Sequence, residues 1–198
     1  QITEFGELEV SIVDAANPMV FVRAKDLGLT GIETPEEIDG DQKMLEVLEE
    51  IRAKAAQTIG MVEDWKEAKA KSPAFPMVAF VSPAADYKDF TTGKQIQGAD
   101  IDFVSRLMFM QIMHKTYAGT GTICTGAAAR INGTVVNEGM EEKHRGKDSI
   151  LKIGHPAGII TIDVSADYEA GQWNLKKAAI SRTARRIMEG YCYIPKER

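Results

Sequence analysis

Residues 114–126, HKTYAGTGTICTG, carry the side chains and spacing best suited to holding an anion. Gly119, Thr120 and Gly121 permit close backbone approach just ahead of an Ala-rich run that reads as a helix. N–H groups at a helix start have no intrahelical partners, and the helix dipole adds partial positive charge there. A carboxylate or phosphate is therefore a natural guest. No G-K-[ST] follows, so this is not a Walker-type loop. A tight glycine turn with no ligand uses the same three residues, and the motif alone leaves both readings open.

Other groups that could do chemistry lie scattered along the chain. His114 and Lys115 precede the loop, and His155 sits in a second glycine turn, Gly-His-Pro-Ala-Gly. Convergence of His155 on residues 119–121 would complete an anion pocket. His144, in EEKHRGKD, reads as a solvated loop residue. Cys124 falls inside the helix, where a small apolar side chain packing on a sheet is the commoner reading; a helix start can also lower a thiol pKa. Arg182, Arg185 and Arg186 form a basic cluster that is either a solvated face or the source of a carboxylate clamp. Asn17, before Pro18, is a turn residue or an amide offered to a carboxylate. Nothing beside the loop has the look of a general base.

These residues need a scaffold, and the composition bounds it. The 198 residues are 44% hydrophobic and 27% charged, ordinary for a globular chain of one domain or one large lobe. A net charge of -5 argues against general affinity for nucleic acid and supplies no basic arm for a membrane surface. The two cysteines, Cys124 and Cys192, lack CxxC spacing, so neither a disulfide framework nor a metal site is expected. No apolar run approaches the roughly 18 residues of a transmembrane helix, and a reducing cytoplasm is the default setting. The chain opens at Gln1 in ITEFGELEVSIVD, which reads as a strand already under way and suggests an upstream part.

Residues 7–23 read as two β segments broken at Asn17-Pro18. Thr34-Pro35-Glu36-Glu37 is a capping box with Pro at the first helical position. From Asp41 onward Met44, Leu48, Ile51 and Ala55 share one face of a helix with Gly60 as its C-cap. PMVAFVSP is a short buried strand, residues 86–103 a loop or hairpin, and FVSRLMFMQIM a strand, though its length also permits a helix. TICTGAAARI favours a helix, while INGTVVNE and DSILKIGHPAGIITIDVSA give further strands. Propensity favours a helix over residues 176–189, although YCYI reads as strand. Helices this sparse give no regular βαβ alternation, so the class is α+β and not a doubly wound sheet.

Taken together and in order, DAANPMVFVRAKDLGLTG, MHKTYAGTGTICTGAAARINGTVVNE, IGHPAG and AAISRTARRIMEGYCYIP resemble the C-terminal half of the PrpF family, the 2-methylaconitate cis-trans isomerases and their 3-methylitaconate and 4-oxalomesaconate relatives. The resemblance spans essentially all 198 residues. It implies one lobe of the diaminopimelate epimerase-like fold, a mixed or antiparallel sheet wrapped around a central helix. Residues 1–198 would be the C-terminal lobe, the terminal RTARRIMEGYCYI would be strand-like, and about residues 187–195 would pair with the sheet of an N-terminal lobe. Asn17-Pro18 resembles the epimerase Gly-Asn-Pro-His turn, and residues 118–121 resemble its Cys-Gly-Thr-Gly loop.

Ala118 stands where the epimerase has its second catalytic cysteine, and Ala157 where many relatives have Ser. The family draws its acid and base from the other lobe, so the resemblance implies no catalytic residue here. It implies instead a carboxylate-binding set of Asn17, Gly119, Thr120, Gly121 and His155. The expected activity is a cofactor-independent proton and double-bond shift in an unsaturated di- or tricarboxylate, with no metal. This chain alone would be inactive. The expected partners are the small carboxylate and the N-terminal lobe, with a homo-oligomer left open and no nucleic acid or membrane. A non-catalytic binding or assembly lobe is the competing reading; an amino-acid epimerase or racemase is disfavoured by Ala118.

Overall fold

Ala16, at φ 72°, turns the chain between β1 (Val10–Ala15) and β2 (Asn17–Arg23), an antiparallel pair. Pro18 lacks a backbone donor but falls before β2 begins pairing with β3 (Met77–Pro83) at Met19, so no bond to β3 is lost. The strand expected from the first residues is shorter: a bridge between Ile2 and Gly6 closes a turn, and β1 starts only at Val10. The computed structural model describes residues 1–145, 149–181 and 184–196, with the side chain of Ser149 also outside the description.

The capping box forms as expected. Thr34 accepts from the Glu37 N–H, Glu37 returns to the Thr34 backbone, and α1 (Pro35–Asp39) follows. Asp41 caps α2 (Gln42–Thr58), whose end is a Schellman arrangement with Gly60 at φ 76°. There the Met61 N–H donates to the Ala56 carbonyl at 2.9 Å and the Gly60 N–H to Gln57 at 3.0 Å. A one-turn α3 (Ala68–Lys71) leads back to β3. Residues 86–103 carry the expected hairpin, β4 (Tyr87–Lys88) with β5 (Gln95–Ile96), before β6 (Phe103–Phe109). Met110 and Gln111, both at positive φ, then turn β6 into the short β7 (Ile112–Met113).

After α4 (Gly119–Arg130), two expectations fail. INGTVVNE is not a strand but α5 (Val135–Gly139). Thr134 caps it, accepting from the Asn137 N–H while donating to the Ala128 carbonyl at 2.6 Å, and Asn137 reaches the Ala129 carbonyl at 2.8 Å. The cap and the docking onto α4 outweigh the β propensity of the two valines. The helix expected over residues 176–189 is also absent among the described residues. β8 (Ser149–His155) and β9 (Gly158–Glu169) run into β10 (Gln172–Ile180) through Ala170 and Gly171 at positive φ, a turn that fits a tight hairpin. Pairing along β9 wins over helical propensity up to Ile180. Residues 184–196 then form neither helix nor strand and are exposed throughout, so the strand-like stretch expected near the C-terminus has no sheet beside it here.

The sheet runs β1-β2-β3-β6-β8-β9-β10 with β7 on the β6 edge, mixing parallel and antiparallel pairs. Alternate residues of β2 and β3 serve opposite faces, and both faces are covered, which explains their near-continuous apolar runs. Val20, Val22, Val78 and Phe80 pack with Met44, Leu48, Ile51 and Ala55 of α2. Met19, Phe21, Met77, Ala79, Leu107, Ile153, Ile162 and Val164 pack with α4. Helix α4 touches β1, β2, β9 and β10, which include both edges of the sheet. The sheet must therefore curl around it. The small residues of α4 permit this: a Cβ on Gly126 would lie 2.8 Å from Ile162 Cδ1 and 3.1 Å from its Cγ2. The result is a half-barrel of the expected α+β class, its sheet wrapped around a central helix as the family resemblance implies.

Candidate anion site at the start of the central helix

Ala118 is the N-cap of α4 and no side chain caps it. The first helical bond runs from the Thr122 N–H to the Ala118 carbonyl at 2.7 Å, leaving the N–H groups of Gly119, Thr120 and Gly121 ahead of the ladder. Gly121 is buried against the sheet: a Cβ there would meet Leu107 Cδ1 at 2.8 Å and Met77 Cε at 3.4 Å. The helix start thus lies over the end of β6 and the beginning of β3. A buried hydroxyl chain fixes it there, with Tyr117 Oη 2.7 Å from Ser105 Oγ and 2.9 Å from Thr125 Oγ1.

Asn17 lies at this same end of the sheet, two residues before the Met19–Met77 pair. Only 7% exposed, its side-chain amide has no hydrogen-bond partner at either Oδ1 or Nδ2 among the described residues. A buried amide with nothing to bond costs on the order of 1–3 kcal/mol, and such groups are rare. Cys124 ties the two elements together. Its Sγ donates to the Val13 carbonyl at 3.2 Å and faces the backbone N–H groups of Ala15 and Met19, on either side of Asn17. Burial pushes this thiol up to about 12, so it is a packing group and not a nucleophile.

The other edge of β6 brings in the histidines. β8 pairs with β6 only at Phe103 and Val104 and ends at His155, while β7 pairs at Met108 and Phe109 and is followed by His114. The His114 N–H donates to the Leu107 carbonyl at 2.8 Å. Between the two histidines the β6 ladder is left with a notch at Ser105 and Arg106, where no strand pairs on this edge among the described residues, and Leu107 at its end packs under Gly121 in the first turn of α4. Leu151 and Ile153 face α4, so alternation puts His155 on that side; Met113 faces α2, which puts His114 opposite it, again toward α4. His155 is 8% exposed and its pKa falls to about 4, first through burial, then through the charges of Arg106 and His114 against an opposing pull from Asp89. His114 is also held low, chiefly by burial. Both shifts favour the neutral imidazole.

Support for this notch comes from residues that motif reading passed over. Arg106 is buried on the far face of β6 and forms no ion pair among the described residues. Its guanidinium donates to the carbonyls of Glu33 at 2.8 Å and Ser105 at 3.2 Å and lies 5.0 Å from the Tyr87 ring centre. Tyr87 Oη in turn approaches the carbonyls of His155 at 2.9 Å and Gly158 at 2.6 Å, pinning the turn that carries His155. A charged residue inside the apolar run FVSRLMF was the visible signal for Arg106. His144 is not the solvated residue expected: its Nδ1 is 2.7 Å from Oδ1 of the buried Asp102, far enough along β6 to belong to the loop anchor and not to the notch.

Arg182 lies outside the described residues. Arg185 and Arg186 are exposed in the terminal segment, the latter paired with Glu189 at 3.0 Å, and neither reaches the notch. A groove of about 590 Å³ lies elsewhere, between the first residues and α2. Its lining sets Glu4, Glu46, Glu49 and Glu50 against Lys43 and Lys69, a net negative setting that disfavours an anion.

A curled mixed α+β sheet around a central helix, with an uncapped helix start, a buried amide unpartnered among the described residues and two histidines near one another, defines the fold class and the candidate site. The chain belongs to the PrpF family, whose model matches residues 1–195. It is 56% identical over 194 residues to the 3-methylitaconate isomerase of Eubacterium barkeri, covering 98% of this chain and 50% of that protein. It is 33% identical over 196 residues to the 2-methyl-aconitate isomerase of Shewanella oneidensis, covering 99% and 48%. A crystal structure of methylitaconate-delta-isomerase superposes with a TM-score of 0.86 at 55% identity, over 97% of this chain and 48% of that one. The chain spans about half the length of the curated relatives it matches. Among the described residues no helix is long and apolar enough to cross a membrane.

Proposed function

We propose that this chain is the carboxylate-binding, C-terminal half of a cytoplasmic isomerase that shifts a proton and a double bond in an unsaturated di- or tricarboxylate of the methylitaconate, 2-methylaconitate or aconitate type. The observation that carries the reading is the Asn17 amide, buried and, among the described residues, without a partner, near a helix start whose first three N–H groups are likewise unclaimed there. One substrate carboxylate bound there accepts from the N–H groups of Gly119, Thr120 and Gly121 and from Asn17. Removal of an allylic proton spreads negative charge into a carboxylate, and helix-start N–H groups stabilise that oxyanion. Return of the proton at the other end of the three-carbon unit completes the isomerisation without net gain or loss of atoms or electrons.

The base and acid belong to the other half of the protein in this reading, and no organic cofactor or metal is required of this half. Ala118 offers no sulfur, and Cys124 is buried with its proton held tightly. The exposed tail supports a two-lobe arrangement. Ile187, Met188, Tyr191, Tyr193 and Ile194 are 84–100% exposed, a run of apolar residues suited to about residues 187–195 adding as a strand to the partner lobe's sheet. The test is turnover of 3-methylitaconate, 2-methylaconitate and aconitate by the complete protein and by this chain alone. Isomerisation by the complete protein only is expected. Activity in the isolated chain removes the absent-base argument, and a complete protein inert on all three favours a binding or assembly role.

A further inference from the structure

His114 was expected only to precede the loop, yet it shares with His155 an unusual local geometry. The Thr116 N–H donates to His114 Nδ1 at 3.1 Å, and the Ala157 N–H donates to His155 Nδ1 at 3.3 Å. In each case the donor lies two residues beyond the ring. A nitrogen that accepts a hydrogen bond carries no proton, so each neutral ring holds its single proton on Nε2. The two rings are thus set by the backbone in the same tautomer. Neither Nε2 has a hydrogen-bond partner among the described residues.

The two residues flank the notch on the same edge of β6: His155 follows Gly154, the partner of Val104, and His114 is held by its N–H to the Leu107 carbonyl at 2.8 Å. Asp89, the acidic group whose charge reaches His155, is not a competing acceptor. Its Oδ1 takes the Thr91 N–H and hydroxyl at 2.7 and 2.5 Å, and its Oδ2 takes the Thr92 hydroxyl at 2.7 Å. Arg106 reaches the notch only as a charge, because Tyr87 and three backbone carbonyls surround its guanidinium.

We propose that His114 and His155 act as one clamp, each donating from Nε2 to a single carboxylate group of the substrate. The proposal rests on the carboxylate reading above and extends it. The clamp and the adjacent helix start make two anion positions side by side, so the half-site selects a dicarboxylate over a monocarboxylate. Recognition by neutral N–H donors also leaves both rings uncharged in the absence of ligand, so the histidines add no further buried cation to that of Arg106 while the site is empty.

The test uses the complete protein and methylsuccinate, a saturated dicarboxylate that an allylic proton shift cannot consume. Nitrogen-15 NMR of the wild-type imidazoles should show both rings protonated at Nε2 and both resonances moving as methylsuccinate binds. By calorimetry, His114→Leu should weaken methylsuccinate binding about tenfold, the loss of one well-placed hydrogen bond. His114→Gln, whose amide N–H can stand in for Nε2–H, should stay within about threefold of wild type. A ring protonated at Nδ1, unmoved imidazole resonances, or equal affinities for the two variants overturns the clamp, and the wild-type spectra decide should His114→Leu fail to fold. Because methylsuccinate is not turned over, a protein that binds it through both rings yet isomerises nothing overturns the activity alone.

Discussion

Acidification should destabilise the folded chain through His155, by an amount set by its burial. The ring ordinarily titrates near 6.5 and in the fold is pushed down to about 4. Between those values the unfolded chain binds a proton that the folded chain refuses, so stability falls as pH falls through the window. With these midpoints the cost is about 0.2 kcal/mol at pH 7 and about 2 kcal/mol at pH 5, approaching about 3 kcal/mol below pH 4. At 8% exposure the ring has little solvent to screen it. Urea unfolding followed by tryptophan fluorescence, at pH 7 and pH 5 in carboxylate-free buffer, should therefore show a loss of about 2 kcal/mol in wild type. His155→Gln removes the titrating group and should lose markedly less. His114, held low by burial as well, leaves a smaller slope of the same sign in the variant. Identical losses in the two proteins would refute the reasoning, because the proton would then be taken up elsewhere.

Asn17→Leu should stabilise the chain by about 1 kcal/mol in urea unfolding, since a buried amide without partners is replaced by an apolar isostere, while dicarboxylate binding by the complete protein is lost; a destabilised variant with normal binding would assign Asn17 to the fold. Gly121→Val places atoms 2.8 Å from Leu107 Cδ1 and should cost about 1–3 kcal/mol while raising the KM of the complete enzyme. An unchanged KM removes the helix start from the site. In native alkylation read by mass spectrometry, exposed Cys192 of the isolated chain should react at pH 8 and Cys124 only after unfolding. Rapid labelling of Cys124 in the folded chain would contradict its place in the core.

Sequence periodicity located the elements whose ends are chemically marked. The Thr34 capping box, the Asp41 cap and Gly60 are all where the residues require, and the glycine-rich start of α4 lies one residue beyond Ala118. Periodicity failed where tertiary pairing decides. Val135 and Val136 favour a strand in isolation, but Thr134 and Asn137 bind carbonyls of α4 that no local window contains. Likewise the alanines and lysines of β10 would suit a helix, and only the turn at Ala170-Gly171 commits them to β9. The site was readable as a set of residue types but not as a placement. That Asn17 is unpartnered among the described residues, that His114 and His155 flank one stretch of β6, and that Tyr87 holds the His155 carbonyl all depend on pairings across dozens of residues. Arg106 was visible as an anomaly in an apolar run, though its partners were not.

The girth of α4 has a consequence for how the site tolerates change. Gly126, Ala127, Ala128 and Ala129 make the helix a thin spindle, and the radius of the sheet wound on it follows from that thinness. Broadening the spindle at Gly126 would press first on Ile162 of β9, which pairs directly with Leu151 of β8. β8 delivers His155, and β2, beyond β6 and β3 in the same winding, carries Asn17. The spacing between those two side chains is thus gauged by residues that touch neither of them.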